Sequence, residues 1–117
     1  MAVRCQQAQG AGDTLGLSAI TISELELGAR FGGRYEAEMA LIRRLTSPFE
    51  RYDYRAVGCP DQYGQVRYEL EKRGMTIGAL DTLIAAHALA LGATLVSNNS
   101  AHFSRVAGLR TENWLKG

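Results

Sequence analysis

The stretch that decides the fold reads Ile77-Gly-Ala-Leu-Asp81-Thr-Leu-Ile-Ala-Ala-His87-Ala-Leu-Ala-Leu-Gly92-Ala-Thr-Leu-Val-Ser-Asn98-Asn99. From residue 83 to residue 91 nearly every residue is apolar, which predicts a helix that is buried on most of its sides. Asp is a favoured N-cap, so we expect this helix to begin at Asp81, and Gly92 is typical of a residue that ends one. Residues 94–97 then predict a short buried strand.

Polar groups stand at both ends of this helix–strand unit. Asp81 lies at the start of the helix, and the pair Asn98-Asn99 follows the strand. A carboxylate beside polar groups at the end of a strand is the usual location of a site in an α/β protein. The unit therefore predicts both a fold class and a place for function.

The rest of the chain alternates strands with helices, which predicts an α/β fold with a parallel sheet and helices on both faces. Strands are expected at 17–20, within 49–54, at 94–97 and, as a final edge strand, at 109–114. Helices are expected near 3–8, from Thr21 to Gly32-Gly33, over 37–45 up to Pro48, from Pro60 to Gly74, and as one turn at 100–105. The Thr21 start rests on the capping-box spacing of Thr21 and Glu24.

Length and composition narrow the class of protein. A chain of 117 residues suits a single domain over 1–117. The net charge of +1 gives no overall basic field for nucleic acid, although a local patch would suffice. Two cysteines, Cys5 and Cys59, fit neither a metal motif nor a disulfide framework. With no signal-peptide core and no apolar run long enough to cross a bilayer, we expect a cytoplasmic protein without a membrane partner.

Two acids are the candidate metal ligands. Glu24 and Asp81 are each expected next to a strand end and are far apart in sequence, and a hard divalent cation needs oxygen ligands from separate elements. From spacing alone, a capping-box role explains Glu24 and an N-cap role explains Asp81 equally well. His87 lies well inside the buried helix and is interpreted as a packed, hydrogen-bonded histidine. His102 lies next to the polar strand end and is more open to a functional role.

Several blocks of the sequence resemble PIN-domain ribonucleases, and most of all the VapC toxins of bacterial toxin–antitoxin pairs. The blocks are Leu17-Ser-Ala-Ile-Thr-Ile-Ser-Glu24-Leu-Glu-Leu-Gly-Ala, Tyr63-Gly-Gln-Val-Arg, Gly78-Ala-Leu-Asp81-Thr-Leu-Ile-Ala-Ala-His-Ala-Leu, Leu95-Val-Ser-Asn-Asn and Gly108-Leu-Arg-Thr-Glu-Asn-Trp114. They occur in the family's order from about Leu17 to Trp114, and the likeness is weakest over 49–61.

The resemblance implies an endoribonuclease in which acidic residues hold Mg²⁺ or Mn²⁺ and a metal-bound water attacks RNA. It implies that Glu24 and Asp81 are metal ligands and that the catalytic group comprises Glu24, Asp81, Asn99 and His102. Asn99 and His102 lie where the family usually has its last acid, so His102 would weaken the negative charge there. The implied partners are an RNA substrate, a VapB-like antitoxin and a second copy of the chain in a homodimer.

The N-terminal part departs from the family's pattern. The family opens with an apolar strand that runs into Asp-Thr-Asn, whereas Asp13-Thr14 is followed by Leu15 and lies in a glycine-bearing stretch interpreted as a loop. We therefore expect a three-layer PIN-like fold that lacks its first strand and first helix. A gap between the 17–20 and 94–97 strands, or direct pairing of the two, would follow, together with low stability. The alternative function is an inactive module that engages an antitoxin or a sister toxin subunit.

Overall fold

A computed structural model describes residues 2–6 and 13–113 and shows five strands and five helices in that part of the chain. The strands are β1 (Ala2–Gln6), β2 (Asp13–Ser18), β3 (Glu50–Tyr52), β4 (Thr94–Val96) and β5 (Thr111–Glu112). The helices are α1 (Ala19–Phe31), α2 (Tyr35–Thr46), α3 (Cys59–Lys72), α4 (Ala79–Leu91) and α5 (Ser100–Phe103). The predicted α/β class is confirmed.

The strands form one sheet in the order β3-β2-β1-β4-β5. β2 is parallel to β3, and β4 is parallel to β5, whereas β1 is antiparallel to both β2 and β4. Four strands therefore point the same way and only β1 runs against them. The carboxyl ends of β2 and β4 consequently meet at one edge of the sheet, called the C-terminal edge below.

β1 corrects the expectation of a gap between β2 and β4, because it lies between them and pairs with both. Val3 is opposite Gly16 on one side and opposite Leu95 on the other. Only residues 7–12 join β1 to β2, and a parallel pair would need a crossover of roughly a dozen residues or more, so the inserted strand must run antiparallel. The backbone groups of β2 and β4 that would face such a gap are paired by β1 instead.

Two further expectations for the N-terminal part are wrong. Residues 3–6 belong to a strand and not to a helix, and the remainder of the expected helix lies outside the described residues. Asp13 and Thr14 start β2 and do not lie in a loop. The sheet explains both results, since a half-polar segment becomes a strand when neighbouring strands offer pairing on both sides.

Side chains alternate between the two faces of the sheet, and each face has its own apolar cluster. On one face, Val3 and Leu95 are buried against α3, α4 and the Phe103 side chain of α5. On the other face, a smaller cluster of Ala2, Leu17 and Val96 packs against Ile22, Leu25 and Phe49. Helices thus cover the first face, while the second face is only partly covered.

The starts of α1 and α4 differ from their predicted positions. Ser18 and not Thr21 caps α1, since its Oγ accepts the Ile20 N–H at 3.0 Å, so the capping-box interpretation of Glu24 is wrong. Strand pairing keeps Ser18 extended and makes it the last residue before the helix. α4 begins after Gly78, whose φ of 91° suits glycine, and Asp81 lies in the first turn instead of at the N-cap.

The remaining elements agree with the sequence pattern. α2 ends before Pro48, Pro60 lies in the first turn of α3, and Gly92 ends α4 in the left-handed conformation with φ of 64°. β5 is the edge strand expected after residue 109, although Trp114 lies outside the described residues. Within the part of the chain that the structure describes, no helix has the length and apolarity needed to span a membrane.

Candidate active site

Three polar side chains meet at the C-terminal edge of the sheet: Asp81 in the first turn of α4, Asn99 after β4, and His102 in α5. The left-handed turn at Gly92 reverses the chain between α4 and β4, so the first turn of α4 lies beside the end of β4. The local sequence therefore brings together residues that are 18 and 21 positions apart.

The Asp81 carboxylate is the centre of this cluster. His102 Nδ1 lies 3.0 Å from Asp81 Oδ2, and Asn99 Nδ2 lies 3.3 Å from the same oxygen. Asn99 Nδ2 and His102 Nδ1 are also 3.2 Å apart. If both nitrogens donate to Asp81, they cannot bond each other, because a donor does not pair with a donor. The consistent arrangement has Nδ1–H of His102 and Nδ2–H of Asn99 both donating to one carboxylate oxygen.

Hydrogen bonds fix the backbone that carries Asn99, and the side chains of the cluster are partly exposed to solvent. The Asp81 side chain is 18% exposed and the His102 side chain is 40% exposed. The Ser97 hydroxyl accepts the Asn99 N–H at 2.9 Å, and the Asn99 carbonyl accepts the N–H of the buried Phe103. The loop that presents Asn99 is thus fixed at both of its ends. Ser97 was not identified as a site residue from the sequence. A serine two residues before Asn99 nevertheless fits a turn closed by its side chain.

Glu24 is placed differently from the other predicted site residues. It is exposed in α1, which starts at the C-terminal edge where β2 ends. Within residues 2–6 and 13–113 no hydrogen bond or ion pair joins it to Asp81, Asn99 or His102. The structure therefore brings together three of the four predicted residues, and the place of Glu24 in the same cleft stays a prediction.

The oxygen atoms of Asp81 and Asn99 suit a hard divalent cation, but they supply only part of a metal site. Mg²⁺ is held in proteins by one or two carboxylates, keeps several waters, and accepts oxygen ligands such as those of Asp81 and Asn99. The described residues contain no group of three or more His, Cys, Asp and Glu side chains close enough to hold a metal. A cation here would accordingly depend on Asp81, on one further acid and on water.

His87 lies inside the protein, as predicted, and not in the site. It is fully buried, and its Nδ1 lies 2.6 Å from Ser18 Oγ. Burial lowers the pKa of its ring below the ordinary value of 6.5, and the nearby main chain of Asp53 offsets only part of that effect. Nε2 has no hydrogen-bond partner among the described residues. The Tyr54 ring packs edge-on against it at 5.6 Å.

The fold and the Asp81 cluster define a PIN-domain protein. The PIN domain model matches residues 2–109, and the chain belongs to that family.

Comparison with individual proteins narrows the class to the VapC group. The chain is 39% identical over 104 residues to Ribonuclease VapC2 of Rickettsia felis, covering 89% of this chain and 77% of that protein. It is 39% identical over 98 residues to the tRNA(fMet)-specific endonuclease VapC of Shigella flexneri, covering 84% and 74%. The crystal structure of VapBC2 from Rickettsia felis, bound to a DNA fragment from their promoter, superposes with a TM-score of 0.82 at 40% identity, covering 86% of this chain and 75% of that one.

Proposed function

We propose that the protein is a divalent-metal-dependent endoribonuclease of a toxin–antitoxin pair and that Asp81 is its central metal ligand. The observation that carries the proposal is the meeting of Asp81, Asn99 and His102 at the C-terminal edge of a PIN fold. The names of the similar proteins support a ribonuclease activity. Mg²⁺ or Mn²⁺, when bound, supplies a water of lowered pKa and neutralises charge on the phosphoryl group.

The chain's own residues have separate roles in this proposal. Asp81 and Glu24 hold the cation, Asp81 from the half-buried floor and Glu24 from the exposed face of α1. Asn99 and His102 donate to Asp81 and orient its carboxylate, as residues that support a metal ligand do. Because Nδ1 of His102 carries the proton in that bond, Nε2 is the nitrogen free to accept or deliver a proton during cleavage.

The test is RNA cleavage by purified protein with Mg²⁺ or Mn²⁺ and again with EDTA. Asp81→Asn keeps the shape of the side chain and removes its charge, so we expect activity to fall by at least about a hundredfold, the effect of losing several kcal/mol of metal assistance. Asp61→Asn is the matched control, because Asp61 is also an acid in the first turn of a helix but lies in α3. Full activity of Asp81→Asn, or cleavage that survives EDTA, would refute the proposal.

A second candidate function is a binding module without nuclease activity. Two observations favour it: a histidine stands at the position where the resemblance implies an acid, and the described residues contain no cluster of three acidic or histidine ligands. In that case wild-type protein and Asp81→Asn would be equally inactive on RNA with either metal. The same protein would still co-elute with its partner.

The partner that we propose is a small VapB-like antitoxin encoded beside this gene. The similar structures are VapBC complexes, which supports a protein of that kind. We expect co-expressed products to elute together from a sizing column and RNA cleavage to fall when the antitoxin is present. Separate elution of the two products would count against the pairing. The homodimer and the cytoplasmic location stay predictions.

A further inference from the structure

A concave surface lies on the partly covered face of the sheet. Its volume is about 450 Å³, within the range of about 300–1,000 Å³ that is usual for small-molecule sites. Leu17, Leu25, Phe49 and Val96 supply its apolar lining. We call it the Phe49 groove. Of the described residues that line it, none carries a charge, so it suits a neutral group better than a phosphate or a charged side chain.

The Phe49 groove lies beside the candidate active site at the end of β4. Ser97 and Asn98 line it at the end of β4, and Asn99 of the Asp81 cluster is the next residue along the chain. On the opposite side the groove is lined by Thr21, which lies one helical turn before Glu24 on α1. The groove thus lies between α1, which carries Glu24, and the end of β4, which leads to Asn99.

We propose that the Phe49 groove binds one unstacked base of the RNA strand, next to the phosphodiester that is cleaved. The proposal rests on the ribonuclease function proposed above. Single-stranded RNA is recognised by stacking its bases on aromatic rings and by hydrogen bonds to their edges. Phe49 offers the ring, and the Asn98 side chain offers both a donor and an acceptor. A base edge can form hydrogen bonds with that amide, which a wholly apolar occupant cannot do.

The experiment uses a short single-stranded RNA that contains 2-aminopurine, mixed with the protein in EDTA so that binding is measured without cleavage. Stacking on Phe49 should quench the fluorescence of the 2-aminopurine. Phe49→Leu keeps an apolar side chain but removes the ring, and we expect it to weaken RNA binding about tenfold and to abolish the quenching. Tyr68→Leu is the matched control, because Tyr68 is an aromatic residue that is 63% exposed and does not line the groove.

A second variant, Asn98→Ala, tests the groove independently in case Phe49→Leu misfolds. Asn98 is exposed, so Asn98→Ala should fold normally and weaken binding about fivefold through the lost edge hydrogen bond. Quenching in wild-type protein that both groove variants reduce, and that Tyr68→Leu retains, supports the inference. RNA binding without quenching, wild-type affinity in both groove variants, or no RNA binding at all would overturn it.

The outcome separates this inference from the function on which it rests. If cleavage depends on metal but the groove variants bind RNA with unaltered affinity, the ribonuclease function is supported and the base site is refuted. If quenching depends on Phe49 but RNA is not cleaved with either Mg²⁺ or Mn²⁺, the base site is supported and the nuclease function is refuted.

Discussion

The two histidines of the chain each contact one oxygen through Nδ1, and they differ in almost every other respect. His87 is fully buried against Ser18 Oγ at 2.6 Å, whereas the side chain of His102 is 40% exposed beside Asp81 Oδ2 at 3.0 Å. The comparison shows how the oxygen partner and the solvent decide what an imidazole does.

The direction of the hydrogen bond differs between the two pairs: Nδ1 is the acceptor in His87 and the donor in His102. Ser18 Oγ already accepts the Ile20 N–H, and its own O–H needs an acceptor, so it donates to Nδ1 of His87. An ionised Asp81 has no proton to give, so Nδ1 of His102 is the donor. His87 is therefore a neutral link between the start of α1 and the middle of α4, while His102 serves a carboxylate at the surface.

The largest effect on folding should come from breaking the buried pair. His87→Leu leaves the Ser18 hydroxyl buried without an acceptor, and we expect the free energy of unfolding in urea to fall by about 1–3 kcal/mol. His102→Leu should change it by less than about 1 kcal/mol, because that pair is partly exposed. Equal losses in the two variants would show that burial does not separate the two histidines.

A change at the exposed pair should alter metal binding more than folding. His102→Asp places a second carboxylate beside Asp81, where the resemblance implies an acid. We expect the concentration of Mn²⁺ needed for half-maximal RNA cleavage to fall about tenfold, the equivalent of roughly 1.4 kcal/mol from an added anionic ligand. Gln65→Glu, at an exposed position of α3, controls for the added unit of negative charge. An unchanged or higher Mn²⁺ requirement would show that His102 occupies a position unrelated to the metal.

The smallest expected effect is the contribution of His87 to the pH dependence of stability. Its folded-state pKa is lowered by burial, so between that pKa and about 6.5 the unfolded chain binds the proton and the folded protein does not. Stability should therefore rise with pH across this window, by at most about 1.4 kcal/mol per pH unit, and be lost as the pH falls. Urea unfolding between pH 5 and pH 8 measures the slope.

The matched variant for this pH dependence is His87→Leu, which should have a flatter profile than the wild-type protein. Burial raises the pKa of the neighbouring Tyr54, so that residue does not titrate in the window. A profile that keeps its slope after the substitution would assign the dependence to other groups.

Local pattern was sufficient to predict the part of the fold that builds the site. The apolar run after Asp81, the glycine at 92 and the strand before Asn98 defined α4, its turn and β4, and with them the position of His87. The rule that sites lie at the polar ends of strands indicated Asp81 and the Asn98-Asn99 pair, whereas the grouping of Asp81, Asn99 and His102 was implied by the family resemblance.

Two features depend on tertiary contacts that local pattern does not contain. β1 is short and contains only one β-branched residue, Val3, so it was not predicted as a strand, and it forms one where β2 and β4 pair with it on both sides. Ser18 caps α1 in place of Thr21 because strand pairing and the buried His87 fix it at the end of β2. In both cases a neighbour that is distant in sequence decides the structure.

The most direct test of the Asp81 cluster is Mn²⁺ binding itself, followed by electron paramagnetic resonance of the free ion. We expect the wild-type protein and Asp61→Asn to remove Mn²⁺ from solution at one common site, and Asp81→Asn to lose that site. Glu24→Gln should weaken it as well, since Glu24 is proposed as the second ligand. Mn²⁺ binding by Asp81→Asn that equals the wild type would contradict the account, because the metal would then be held elsewhere.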